Sequence, residues 1–221
     1  MPCCVTSSLI AMALALSSAG QPLVTAIRED ALGPARMVGA AGWEKARPLV
    51  LAGFDGAPAQ RAEVRVLWNK DWLFFAFDCS DNSVISPGDR DGLDHFRLGD
   101  TAEVFIAPRG AKSYAEFHAT PAGCKTLYFF GDYRSASPAP AAAARVRVES
   151  ERDGRGWRSF IAVPRDLFAG DGGESGYDVF FARYDYDAPG ASPLLSSFPA
   201  QHGRKADFHR RADYAVLQLK P

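Results

Sequence analysis

The segment Asp94 to Pro108 (DHFRLGDTAEVFIAP) carries an ionisable group inside an apolar strand pattern. Strand alternation sets Ala102, Val104 and Ile106 on one face and Thr101, Glu103 and Phe105 on the other. Further on, Phe117 and Ala119 alternate with Glu116, His118 and Thr120. The two runs predict a polar patch across neighbouring strands of one sheet face. Carboxylates and an imidazole in such a patch can meet hydroxyl groups, while aromatic rings at its border cover the flat apolar faces of a sugar ring. A second chemistry uses the same atoms: Glu103 with Glu116 or Asp178 supplies the two carboxylates that glycoside hydrolysis requires, although sequence alone does not set their separation.

Four further groups of residues could do chemistry. The loop Gln201 to Arg211 (QHGRKADFHRR) gathers basic groups around Phe208. It makes an acidic sugar such as a uronate a natural ligand, with Arg210 and Arg211 as contacts. Asp78, Asp81, Asp89, Asp91 and Asp94 could furnish loop carboxylates for a structural calcium ion, with Asp78, Asp81 and Asp94 the foremost candidates, but EF-hand spacing is absent. Cys79 and Cys124 end two strand-like runs and could form a disulfide or stand as two separate small hydrophobes. A haem would need axial ligands from Met37, His95, His118, His202 or His209, and the chain has no CxxCH motif.

The elements that position these groups read as β throughout. Strand-length runs fall at Glu63–Trp68, Trp72–Cys79, Thr101–Ala107, Ser113–Thr120, Lys125–Phe130, Arg145–Glu151, Trp157–Val163, Tyr177–Tyr186, Leu194–Phe198 and Tyr214–Leu219, separated by Pro and Gly turns. The fold expected is all-β: an antiparallel, jelly-roll-like β-sandwich of about ten strands. Trp68 and Trp157 belong to its core. Asp81 to Gly99 is a long polar loop, the kind that usually carries function. Pro138 and Pro140 argue against a helix in Ser135 to Ala144.

Residues 1–19, with the apolar run Leu9 to Leu16 and then Ser17-Ser18-Ala19, read as a cleaved secretory signal, which places the protein outside the cell or in the periplasm. Residues 20–42 read as an irregular lead-in and 43–221 as the sandwich domain. The 221 residues carry 25 Lys and Arg against 26 Asp and Glu, a net charge of −1, which disfavours nucleic acid as a partner. The apolar run is far shorter than a membrane span.

The order VRVLWNKDWLFFAFDCSD, GDTAEVFIAP, YAEFHATPAG, GWRSFIAVPRDLF and DFHRRADYAVLQL resembles the family 9 carbohydrate-binding modules and their stand-alone, DOMON-like relatives, from Trp43 to Leu219. That resemblance implies a non-catalytic sandwich that holds a polysaccharide or oligosaccharide between two aromatic side chains, serves polysaccharide degradation as an accessory at most, and contains calcium in some members. Related sandwiches bind haem and move electrons. Carried over, the strand glutamate is Glu103 and the basic residue of the next strand is His118. The first clamp is Phe96 with Arg97, and the second is Phe208 with His209. The family has Trp at both clamps and Arg where His118 stands, so the rings here offer less stacking area and His118 fewer donors. No catalytic residue and no organic cofactor is implied.

Overall fold

A computed structural model describes residues 20–168 and 176–221. The signal segment expected at 1–19 lies outside the described residues. The chain builds β1 (Leu23–Arg28), two short pieces β2 (Leu49–Val50) and β3 (Ala52–Gly53), and the hairpin β4 (Ala62–Trp68) and β5 (Trp72–Ser80). After the long loop come β6 (Thr101–Pro108), β7 (Tyr114–Ala119), β8 (Lys125–Phe130), β9 (Ala136–Pro138) and the single turn α1 (Pro140–Ala143). A second hairpin, β10 (Arg147–Asp153) and β11 (Gly156–Pro164), precedes β12 (Tyr177–Asp185), β13 (Leu194–Phe198) and β14 (Ala215–Lys220).

These strands form one continuous sheet in the order β10-β11-β5-β4-β1-β14-β12-β6-β7-β8-β9, curled so that its two halves face each other. The interior is filled by the alternate residues that the β period demands: Val64 and Val66 of β4, Phe75 and Phe77 of β5, Ala102, Val104 and Ile106 of β6, Phe117 of β7 and Phe181 of β12. Phe75 and Phe181 meet across the layers at 5.8 Å between centroids. Burying each such ring stabilises the fold by about 1.5–3 kcal/mol. Trp157 is buried at one end of this core, and Trp68 packs against it from the rim.

The structure departs from the expected fold in three respects. The region read as an irregular lead-in contains β1, which pairs in parallel with both β14 and β4. The sheet is therefore mixed, and among the described residues it has fourteen strands rather than about ten. LVTAIR gives little signal of its own, because it is short and has no hairpin partner next to it in the chain. Pro140, expected to prevent a helix, instead opens α1, where the missing N–H of a first-turn proline costs nothing.

Cys79 and Cys124 are unbridged: Cys79 is buried in the interior between the sheets, whereas Cys124 is half-buried in the turn before β8, its thiol 3.6 Å from the Gly88 carbonyl. Burial pushes the Cys79 thiol up to about 12, so it behaves as a small hydrophobe.

Each half of the curl also has an outer face. On the β4-β5-β11 half, Leu67, Phe74 and Phe160 are covered by Leu32, Met37 and Trp43. On the β12-β6-β7 half, Phe105, Tyr114, Phe180 and Tyr214 are covered by Phe208 of the C-terminal loop.

Candidate functional site

The long loop is tied down before it reaches the second outer face. Asp100, just before β6, accepts the Ile85 N–H at 2.6 Å and the Tyr186 N–H at 2.8 Å, and the Asp100 N–H returns to the Ile85 carbonyl at 2.7 Å. Gly99 permits this approach: a Cβ there would lie 2.2 Å from the Ile85 oxygen. Burial pushes the Asp100 carboxyl up to about 7, against the pull of its two backbone donors. The 3-10 turn His95–Arg97 carries the loop outward, and the Tyr186 hydroxyl fixes it by donating to the Phe96 carbonyl at 2.6 Å.

The polar floor lies under that turn. In the β6–β7 register Glu103 stands opposite His118 and Phe105 opposite Glu116, so all four share the outer face, as the alternation predicts. His118 Nε2 is 2.5 Å from Glu116 Oε1 and 3.2 Å from Glu103 Oε1. The imidazole is fully buried, and Glu103 is 1% exposed. Burial pushes Glu103 up to about 8; the neighbouring Glu116 charge adds to the shift and His118 opposes it. Burial alone would lower His118, but the two carboxylates outweigh it and hold the imidazole above its usual range. The His118 ring is held edge to face by Phe96 at 5.8 Å and Tyr128 at 5.5 Å. Tyr128 in turn bonds Asp94 at 2.5 Å.

Above the floor opens a cavity of about 180 Å³, lined among others by Phe96, Glu103, Glu116, Arg134, Tyr184 and Phe208. It is small beside the roughly 300–1,000 Å³ of drug-sized sites and suits one ring rather than an enclosed chain. Phe96 is half-buried and contacts Tyr184 at 5.6 Å, with the Arg97 guanidinium 5.2 Å from the Phe96 ring. Arg134 reaches Asp207 at 2.8 Å and the Tyr133 hydroxyl at 3.1 Å. His209 bonds the Tyr114 hydroxyl at 2.9 Å, and burial lowers its basicity.

Of the six carbohydrate-contact residues expected from sequence, Phe96, Arg97, Glu103, Phe208 and His209 line this cavity, whereas His118 is fully buried beneath it and is not part of its lining. Phe208 is 4% exposed and packs on Phe105, Phe180 and Tyr184, so it forms a wall and not a free stacking plate. The half-buried aromatics that line the cavity are Phe96 and Tyr184. Arg134 and Tyr184 are among the lining residues outside the expected set. Tyr184 has a sequence signal, because alternation along YDVFFARYD puts Phe180, Ala182 and Tyr184 on one face. Arg134 sits at φ 53° in a turn that carries none.

Arg210 and Arg211 do not face the cavity as free cations. Arg210 bonds Asp213 at 2.7 Å, and Arg211 binds the carbonyls of Ala111, Lys112 and Ser113 at 3.2–3.3 Å. The cations at the cavity are Arg97 and Arg134.

The expected calcium ligands do not converge. Asp78 is exposed on β5 and Asp94 is exposed at Tyr128, while Asp81 is buried in a different cluster with Asp100 and Asp185. A guanidinium lies within that cluster: Arg183 Nη2 is 3.0 Å from both Asp81 and Asp185, and its Nη1 reaches the Ser80 carbonyl at 2.9 Å. Asp81 also accepts from Trp157 and Ser83. A permanent cation thus holds the place a calcium ion would take, and the donor set does not fit one. Of the candidate haem ligands, Met37 is buried on one outer face, apart from His118 and His209 on the other.

No protein-family model and no curated protein sequence matches the chain. Solved structures do. The chain is similar to a Bacteroides uniformis protein to which carbohydrate binding has been ascribed, with a TM-score of 0.71 and 13% identity over 90% of this chain and 99% of that one. It is also similar to a family 9 carbohydrate-binding module of Caldicellulosiruptor kristjanssonii, solved with cellotriose (TM-score 0.63, 11% identity, 90% and 93% covered) and with glucose (0.60, 10%, 90% and 95%). At these identities the likeness is one of fold, and the fold is that of the family 9 carbohydrate-binding modules. No helix among the described residues is long and apolar enough to cross a membrane.

Proposed function

We propose that the chain is a secreted, non-catalytic carbohydrate-binding domain whose site is the cavity on the outer face of β6 and β7. One observation carries this reading: a half-buried aromatic, Phe96, stands beside a cavity whose floor is Glu103 and Glu116 and whose rim holds Arg97 and Arg134. A pyranose ring needs that combination, an apolar plate for its C–H face and polar acceptors and donors for its hydroxyls. The shared fold with modules solved on glucose and cellotriose supports the class of ligand. Binding fits better than hydrolysis because both carboxylates are bonded to, or within ion-pair distance of, one imidazole, leaving neither free as a nucleophile.

Affinity electrophoresis through gels containing β-glucan or polyuronate, with cellotriose and glucose as competitors, tests the reading. Retardation on one polysaccharide, relieved by its oligosaccharide and lost in Glu103→Gln, is the expected result. A folded protein that migrates freely through every gel overturns it.

A further inference from the structure

The geometry points to a binding site for one zinc-type, first-row divalent metal ion at Glu103, Glu116 and His118, with a remaining coordination position open to the cavity. The three side chains rise from adjacent strands in fixed register, so rigid backbone places the donors. One ligand atom from each lies within 4.8 Å of the others. Tetrahedral zinc, with bonds of about 2.0–2.2 Å to nitrogen and oxygen, spaces its ligand atoms about 3.4 Å apart. His118 Nε2 already sits 3.2 Å from Glu103 Oε1, and the Glu116 oxygen, now at 2.5 Å, needs to withdraw by about 1 Å to complete the triangle.

A second observation concerns hydrogen bonding. Glu103 Oε1 is buried and makes no hydrogen bond, its contact with His118 Nε2 at 3.2 Å being an ion pair only, on a side chain that lines the cavity. A buried carboxylate oxygen held by nothing but a titratable imidazole costs free energy that a bound cation would recover. Among the described residues no Arg or Lys lies within ion-pair distance of Glu103 or Glu116, whose ion-pair partners are His118 and, for Glu116, also His209 at 3.9 Å. His118 Nδ1 is likewise unpartnered, which leaves Nε2 as the ring atom facing both carboxylates. One imidazole with two carboxylates suits zinc, cobalt, manganese or iron, whereas calcium and magnesium take all-oxygen shells. The open position would accept water or a sugar hydroxyl. The site stands on these residues alone and does not depend on the sugar reading.

The test uses the full, tag-free chain after chelation, with Co²⁺ as a spectroscopic probe and Zn²⁺ as competitor. Visible cobalt bands should saturate at one ion per chain, disappear on adding equimolar Zn²⁺, and persist in a hundredfold excess of Ca²⁺. His118→Gln and Glu116→Gln should each weaken binding by about a hundredfold, while Glu151→Gln, on the β10–β11 hairpin, changes nothing. A measurement on the unsubstituted chain covers the case in which the two variants fail to fold: long-range ¹H–¹⁵N spectra should show one buried imidazole Nε2 shifting on zinc addition. No saturable binding at about 100 μM ion, equal competition by Ca²⁺, or retained binding in both folded variants overturns the proposal. Polysaccharide retardation measured on the metal-free protein reports separately on the sugar reading.

Discussion

Two clusters of buried carboxylates sit in this fold, and they are built in opposite ways. Asp81, Asp100 and Asp185 are closed: Arg183 supplies a permanent cation, and Ser83, Ile85, Tyr186, Gln60 and Trp157 supply donors. Glu103 and Glu116 are open: their shared cation is a titratable imidazole, and Glu103 Oε1 makes no hydrogen bond. The strand direction explains the contrast. Arg183, two residues on from Phe181, shares its face and so points inward, whereas Glu103 and His118 point outward, beneath a cavity. A closed cluster holds the loop and the sheets together, and an open one keeps binding capacity in reserve.

The sharpest way to break that comparison is Arg183→Met. Removing the one cation leaves two buried carboxylates uncompensated, and the expected loss is about 3–5 kcal/mol, read by urea unfolding. A variant as stable as the parent would show that the closed cluster is not what braces the fold. Next in size, Asp100→Ala strips acceptors from the Ile85 and Tyr186 N–H groups and should cost about 2–4 kcal/mol. Because it also releases the loop that seats Phe96, polysaccharide retention should fall with it.

The open cluster predicts a pH effect of the reverse kind to an ordinary ion pair. Glu103 has a folded pKa of about 8, above its usual carboxylate value, because of burial. The folded state therefore holds a proton that the unfolded chain has released, and this contribution to stability declines as pH rises from about 5 through 8. His118, also raised, has the same sign. Each such proton contributes a slope of at most about 1.4 kcal/mol per pH unit, and Asp100, pushed up to about 7 by burial, adds one of the same sign, so Glu103→Gln should reduce the slope seen in thermal denaturation of metal-free protein without abolishing it. A melting temperature that rises across this range would place the proton elsewhere.

Smaller effects sharpen the contrast further. Phe96→Ala should weaken sugar retention roughly fivefold, the worth of about 1 kcal/mol of stacking, with little change in melting temperature since the ring is only half-buried. Arg204→Ala, on an exposed part of the basic loop, should alter stability by no more than about 0.5 kcal/mol and leave retention unchanged. A marked loss of retention there would return the basic loop to the binding surface.

Much of the open cluster is legible in the amino-acid sequence, because period-two alternation alone puts Glu103, Glu116 and His118 on one face. Their strands are long, apolar on the other side and bounded by Pro and Gly turns, so register and facing follow. The closed cluster is not legible in this way. Asp81 follows β5 and Arg183 lies within β12, and nothing local to either residue reveals that the two strand ends meet. β1 is hidden for a related reason: a six-residue strand whose partners are β4 and the final strand has no neighbouring hairpin to announce it. For Phe208 the sequence pattern points to the right face but not to the right role, since whether an aromatic stacks on a ligand or on Phe105 and Phe180 depends on how deeply the C-terminal loop settles.

The parallel pairing of β1 with β14, Leu23 beside Val216, also sets an order of events in time. The seam between the two halves of the curl joins the beginning of the described chain to its end, and β1 bridges to β4 on its other side only over Ile27 and Arg28. A ribosome delivers β4, β5, β10 and β11 long before it delivers β14, so that half can assemble while β1 still lacks its principal partner. Closure is then the last and most distant contact to form, a step whose rate is governed by chain topology more than by local propensity. Until it happens β1 presents a free strand edge, and shielding that edge during synthesis is a task for the cell rather than for the sequence.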